Sequence, residues 1–151
     1  MPWTATFITI APIAGALSDK IGERPLMVAG LGLQAAGMAW MALIASPGLP
    51  YSHMLAPFII AGVGVSMAIP SAQNSVVGGV GEAEIGKAAG ANSMMRELGG
   101  VFGIAIAVAV FAASGSYASP ASFVDGFGPA IGVAAVLSLI GALAEIGRAH
   151  V

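Results

Sequence analysis

From Pro25 to Gly81 the chain runs for 57 residues without an Asp, Glu, Lys or Arg. Two further charge-free stretches follow, Leu98 to Val124 and Gly126 to Ala144. A soluble fold of 151 residues has no interior large enough to hide such a run, and its charged share is near a quarter, about three times the 8% found here. The hydrophobic share of 58% is spread over Ala-, Leu- and Gly-rich runs. These lack the period-two alternation of a membrane β-barrel. The composition therefore specifies an all-α integral membrane protein.

Other classes fall away on the same evidence. Five basic residues and a net charge of -2 give no electrostatic footprint for nucleic acid. The absence of Cys removes disulfides, thiolate nucleophiles and thiolate-ligated metals. No basic region precedes the first apolar stretch, so no signal peptide is read. An intramembrane hydrolase lacks a base, since His53 is the only histidine outside the last residues. No enzyme activity, cofactor or metal is expected.

A spanning helix needs about 20 apolar residues. The sequence supplies four such spans, at about 25–45, 54–77, 84–113 and 124–144. The turn Ser46-Pro47-Gly48-Leu49-Pro50, the run Gly78-Gly79-Val80-Gly81 and the segment Ser114 to Pro120 separate them. Residues 1–17 form a stump about 25 Å long at helical rise, short of the ~30 Å hydrocarbon core, and read as a truncated helix. Lys20, Arg24, Lys87 and Arg96 fall on the first and third loops, and none of the basic residues falls on the loops at 46–53 and 114–123. The first and third loops are thus expected on the cytoplasmic side. Trp3, Trp40, Tyr51 and Tyr117 lie toward the opposite interface, where aromatic side chains collect.

Chemistry concentrates in two places. The first loop reads Gly15-Ala16-Leu17-Ser18-Asp19-Lys20-Ile21-Gly22-Glu23-Arg24. Gly15 lets helices approach, Gly22 permits a tight reversal, and Asp19 suits a facing helix N-terminus. The third loop and helix carry Gly86, Gly90, Asn92, Arg96, Gly99 and Gly103, with Gly86/Gly90 and Gly99/Gly103 as small pairs four residues apart. Such pairs commonly mark close helix packing.

The first loop resembles the signature Gly-x-Leu-x-Asp-Arg/Lys-x-Gly-Arg-Arg/Lys of the major facilitator superfamily. Gly15, Leu17, Asp19, Lys20, Gly22 and Arg24 match, and Glu23 departs from it. The third helix is similar to the penultimate helix of the fourteen-helix multidrug:proton antiporter branch. Gly62, Gly64 and Pro70 also resemble that branch, without the basic residue and Gln that precede such glycines in the first half. The resemblance therefore implies the C-terminal half of a major-facilitator-type helical bundle, spanning residues 1–144.

It implies a fragment of a secondary transporter, a proton-coupled multidrug or small-molecule efflux antiporter working by alternating access. The expected setting is the bacterial cytoplasmic membrane. The expected partners are lipid, the missing N-terminal half, a small-molecule substrate and protons. The first loop (Gly15, Asp19, Lys20, Gly22 and Arg24) would act as a conformational switch. Gly62, Gly64, Pro70 and the four glycines of the third helix would serve packing or bending. Gln34, Gln73, Asn74, Asn92 and Arg96 are the candidates for a cavity or gate; for Gln34 an interhelical hydrogen bond fits as well. The competing reading is an autonomous small four-helix membrane protein, a pore former or complex subunit.

Residues 145–151 stand apart. Glu145-Ile146-Gly147-Arg148-Ala149-His150-Val151 back-translates as GAG-ATC-GGA-AGA-GCA-CAC-GTC, the in-frame reading of a common sequencing adapter. The heptapeptide is expected to be adapter-derived and is assigned no function.

Overall fold

The structure is a computed structural model that describes Thr9, Pro12, Ile13, Ala16, Leu17 and residues 20–147. Gly15, Asp19 and Trp3, named above, lie outside the described residues, as do residues 148–151. The elements in order are α1 (Glu23–Ile44), α2 (Tyr51–Gly78), a 3-10 turn (Glu82–Glu84), α3 (Ile85–Ser114) and α4 (Pro120–Gly147). All four helices are long and apolar enough to cross a bilayer. Their 22 to 30 residues correspond to about 33–45 Å at helical rise. Thr9, Pro12, Ile13, Ala16, Leu17, Lys20 and Ile21 are helical as well.

Local chemistry sets the helix ends, and it moves several of them from the expected limits. Gly22 precedes α1 with φ +88°, a backbone conformation that L side chains rarely adopt. Between α1 and α2, the Leu49 N–H donates to the Ser46 carbonyl at 3.2 Å. With Pro47 second and Gly48 third at φ +82°, this is a type II turn. So short a turn lets α2 begin at Tyr51, and His53 is an exposed residue of its first turn rather than of a loop.

The entry to α4 is built by serines. Ser119 Oγ accepts from the Ser122 N–H at 3.1 Å, and Ser122 Oγ accepts from the Ser119 N–H at 3.0 Å. This reciprocal cap places Pro120 at the first helical position, where its missing N–H costs nothing. The helix consequently starts four residues before the expected span, and at its other end it continues through Gly147.

The four helices form a ring in which α1 packs broadly on α2 and on α4, while α4 also holds α3. The seam between α2 and α3 is sparse, and across the ring no Cα of α1 comes within 8 Å of one in α3. The α1–α2 contact is made of backbone against backbone. A Cβ at Gly37 would lie 2.7 Å from the Ala61 nitrogen and 2.8 Å from the Pro57 oxygen. Gly30 and Gly64 meet in the same way about two turns further along. Buried Ser66 and Ser71 satisfy their hydroxyls within α2, donating to the Gly62 and Met67 carbonyls at 2.7 and 2.9 Å. Helix α3 is the contrast: none of its residues is buried. Met94, Met95, Leu98, Val101, Phe102 and Ile104 are exposed along it. In a membrane such a surface meets lipid tails or further protein.

Candidate functional site

Helical spacing puts Met27, Leu31 and Gln34 on one face of α1, and Val65, Ala68, Ile69, Ala72 and Gln73 on one face of α2. Asn92, Met95 and Arg96 complete the wall from α3. Together they enclose an open cavity of about 490 Å³ in the half of the bundle nearer Gly22 and Gly79. Four residues drawn from three separate helices, Gln34, Gln73, Asn92 and Arg96, thus converge on one space. Asn74 does not: it follows Gln73 on α2, is exposed, and does not line the cavity.

Gln34 also lines a second cavity, of about 350 Å³, formed with Leu31 and Met38 of α1, Gly99, Gly103 and Ala107 of α3, and Val133, Ala134, Leu137 and Ser138 of α4. Among the described residues Gln34 makes no side-chain hydrogen bond, so its amide is available to whatever occupies these spaces. Ala107 in turn belongs to a third cavity, of about 480 Å³, toward the opposite end of the bundle. The three are strung along α3, sharing Leu31 and Gln34 at one junction and Ala107 at the other.

The third cavity carries a signal that sequence reading missed, because its residues are scattered over a loop and two helices. Phe111, Tyr117, Phe123 and Phe127 form a chain of ring contacts with centroids 5.0 to 5.9 Å apart. The tilted and edge-on contacts among Phe111, Tyr117 and Phe123 stabilise the α3–α4 turn, and Phe127 stacks on Phe123. Gly126 lets the two helices meet there: a Cβ on it would lie 2.8 Å from the Phe111 carbonyl oxygen.

The glycines of α3 behave differently from the close-packing expectation. A Cβ at Gly86, Gly90, Gly99 or Gly103 would meet nothing within 4 Å. Within this chain they admit no neighbouring backbone. Gly99 and Gly103 instead leave the second cavity wider than any side chain would. Close approach is made by Gly30, Gly37, Gly64, Gly115 and Gly126. Gly62 is buried in α2, and its carbonyl accepts from the Ser66 hydroxyl. Pro70 sits inside α2, where its ring nitrogen leaves the Ser66 carbonyl without its helical donor.

At the basic end, Gly22, Glu23, Arg24 and Pro25 face Ser75, Gly78 and Gly79 across a cleft of about 540 Å³. Arg24 therefore lies by the last turn of α2, whose carbonyls carry the negative end of the helix dipole. Lys20 is exposed beside this cleft's loop. On α3, Arg96 Nη2 sits 3.4 Å from Glu97 Oε1 with both side chains largely exposed, a contact of little energetic weight.

Four spans long and apolar enough to cross a bilayer, with Gln34, Gln73, Asn92 and Arg96 brought to one cavity, define a polytopic membrane protein. The chain belongs to the major facilitator superfamily, whose family model matches residues 3–148. It is 29% identical over 131 residues to the cephamycin export protein CmcT of Amycolatopsis lactamdurans. That match covers 86% of this chain and 27% of the relative, so the chain spans about a quarter of that protein's length. No solved structure matches it. The chain is an integral, multi-pass membrane protein of this superfamily, whose members are not enzymes.

Proposed function

We propose that the chain is the C-terminal-half segment of a small-molecule exporter, and that its three neighbouring cavities are one side of the path its substrate takes. The single observation that carries this reading is their succession along α3, neighbours sharing Gln34 and then Ala107 in their walls, from the basic end of the bundle to the aromatic end. A second bundle, rocking against this one, would close the open side and expose the path to each face of the membrane in turn. The export activity named for the relative supports the direction of transport, and its bacterial source supports placement in a cytoplasmic membrane.

Proton coupling and multidrug specificity belong to the same proposal. They rest on the likeness of α3 to the multidrug:proton antiporter branch. Among the described residues no Asp or Glu lines any of the three cavities, which favours a coupling carboxylate on the facing half. The loop around Asp19, Lys20 and Arg24 would bias the rocking motion through its contact with the α2 terminus.

A side chain placed in the path tests the reading. Gly103→Trp puts an indole into the second cavity from a position where a Cβ meets nothing within 4 Å, so insertion should be retained and export lost. Export at the unaltered rate by a normally inserted Gly103→Trp protein would refute the path.

A further inference from the structure

We infer that the cavity at the basic end selects organic anions, amphipathic molecules carrying a carboxylate or sulfonate. The inference rests on the transport-path reading and adds the substrate's charge to it. Of the side chains that line this cavity, Arg96 alone is ionisable. Gln34, Gln73 and Asn92 are neutral amides, and the remaining walls are hydrocarbon or thioether. None of the six carboxylates among the described residues lines it.

Arg96 lies twelve residues into α3, half exposed, two residues before the charge-free stretch that begins at Leu98. Among the described residues its one polar partner is Glu97 Oε1, which engages one nitrogen at 3.4 Å while 77% exposed. No other described residue engages the remaining guanidinium donors. A guanidinium matches a carboxylate or sulfonate with two parallel, charge-assisted hydrogen bonds. The three amides supply N–H donors for the remaining lone pairs. Met27, Leu31, Val65 and Ile69 then receive the apolar body of the ligand. A cationic ligand would meet like charge here, and a neutral one would leave the guanidinium unmatched.

Three probes of one shape and different charge decide the matter: 2-naphthoate, 2-naphthamide and 2-naphthylmethylammonium. Their binding to the full chain in phosphatidylcholine nanodiscs is read by equilibrium dialysis. Naphthoate is expected to bind at least about tenfold more tightly than the amide, with the ammonium weakest. Arg96→Gln should level naphthoate with the amide while amide binding persists. Glu97→Gln, which removes the negative charge beside Arg96, should tighten naphthoate. Should Arg96→Gln fail to insert, Arg96→Lys keeps the charge, and it should retain the rank order with a smaller margin. Adding phosphatidylglycerol separates two sources of the same chemistry: displacement of naphthoate identifies a lipid headgroup, and persistence identifies a free organic anion. A flat or inverted ranking, or a naphthoate preference untouched by Arg96→Gln, overturns the anion inference and leaves the path standing. Binding of none of the three overturns both.

Discussion

Gly30 of α1 and Gly64 of α2 face each other so closely that a Cβ added to Gly30 would lie 2.6 Å from the Gly64 carbonyl oxygen. The same Cβ would lie 2.9 Å from the Ala68 nitrogen, so no rotamer change on the partner relieves the clash. Gly37→Ala and Gly30→Ala should each lower stability by about 1–3 kcal/mol, the usual cost of overpacking. Gly86→Ala and Gly90→Ala should be neutral, or stabilise by up to about 1 kcal/mol through helix propensity. Thermal unfolding of the purified variants in detergent separates the two groups. Equal losses at all four positions would mean that a backbone also lies against α3.

Gln34 should matter for transport and not for folding. Because its amide has no partner among the described residues, Gln34→Leu is expected to change stability by less than about 0.5 kcal/mol. Export should fall severalfold, since the residue stands where two cavities join. A large loss of stability with transport intact would restore the alternative, an interhelical hydrogen bond.

Orientation follows from the positive-inside asymmetry, and the absence of native cysteines makes it simple to measure. Ser52→Cys, in the first turn of α2, should react with an impermeant maleimide added to intact cells. Ser18→Cys, on the basic loop, should react only after permeabilisation. The opposite pattern would invert the topology.

Asp19→Asn addresses the switch loop. In the transporter that contains this segment, the variant should reach the membrane in normal amount and export more slowly. A coupling loss of about 1–3 kcal/mol is the usual scale for such a device. Export at the normal rate would reduce the loop to an inert turn.

The four spans were legible because a charge-free run in a short chain has one physical solution, and helix lengths follow from the bilayer. The helix starts were less so. The expected fourth span began at 124 because Ser119 and Pro120 read as loop residues. Their roles as cap and first helical residue depend on a reciprocal bond with Ser122. Polar residues in apolar spans were the legible part of the candidate site, since an amide in lipid is costly and tends to face inward. Gln34, Gln73, Asn92 and Arg96 line one cavity, and Asn74, one position on, does not. Glycine spacing alone does not tell which glycines meet a neighbour within the described residues. The pairs four residues apart on α3 meet no neighbour, whereas Gly30 and Gly37, seven apart, make the tight contact. A missing side chain announces room, and only the neighbouring element decides whether backbone or empty space fills it.

The unequal seams of the ring divide it mechanically. Where α1 and α2 meet backbone to backbone, no side-chain rotation can take up a displacement, and the pair is stiff. The α2–α3 seam has few contacts to strain, so it is compliant. A deforming force applied to the bundle will be taken up along that line, and the walls that separate as it yields are the ones bearing Gln73 on one side and Arg96 on the other.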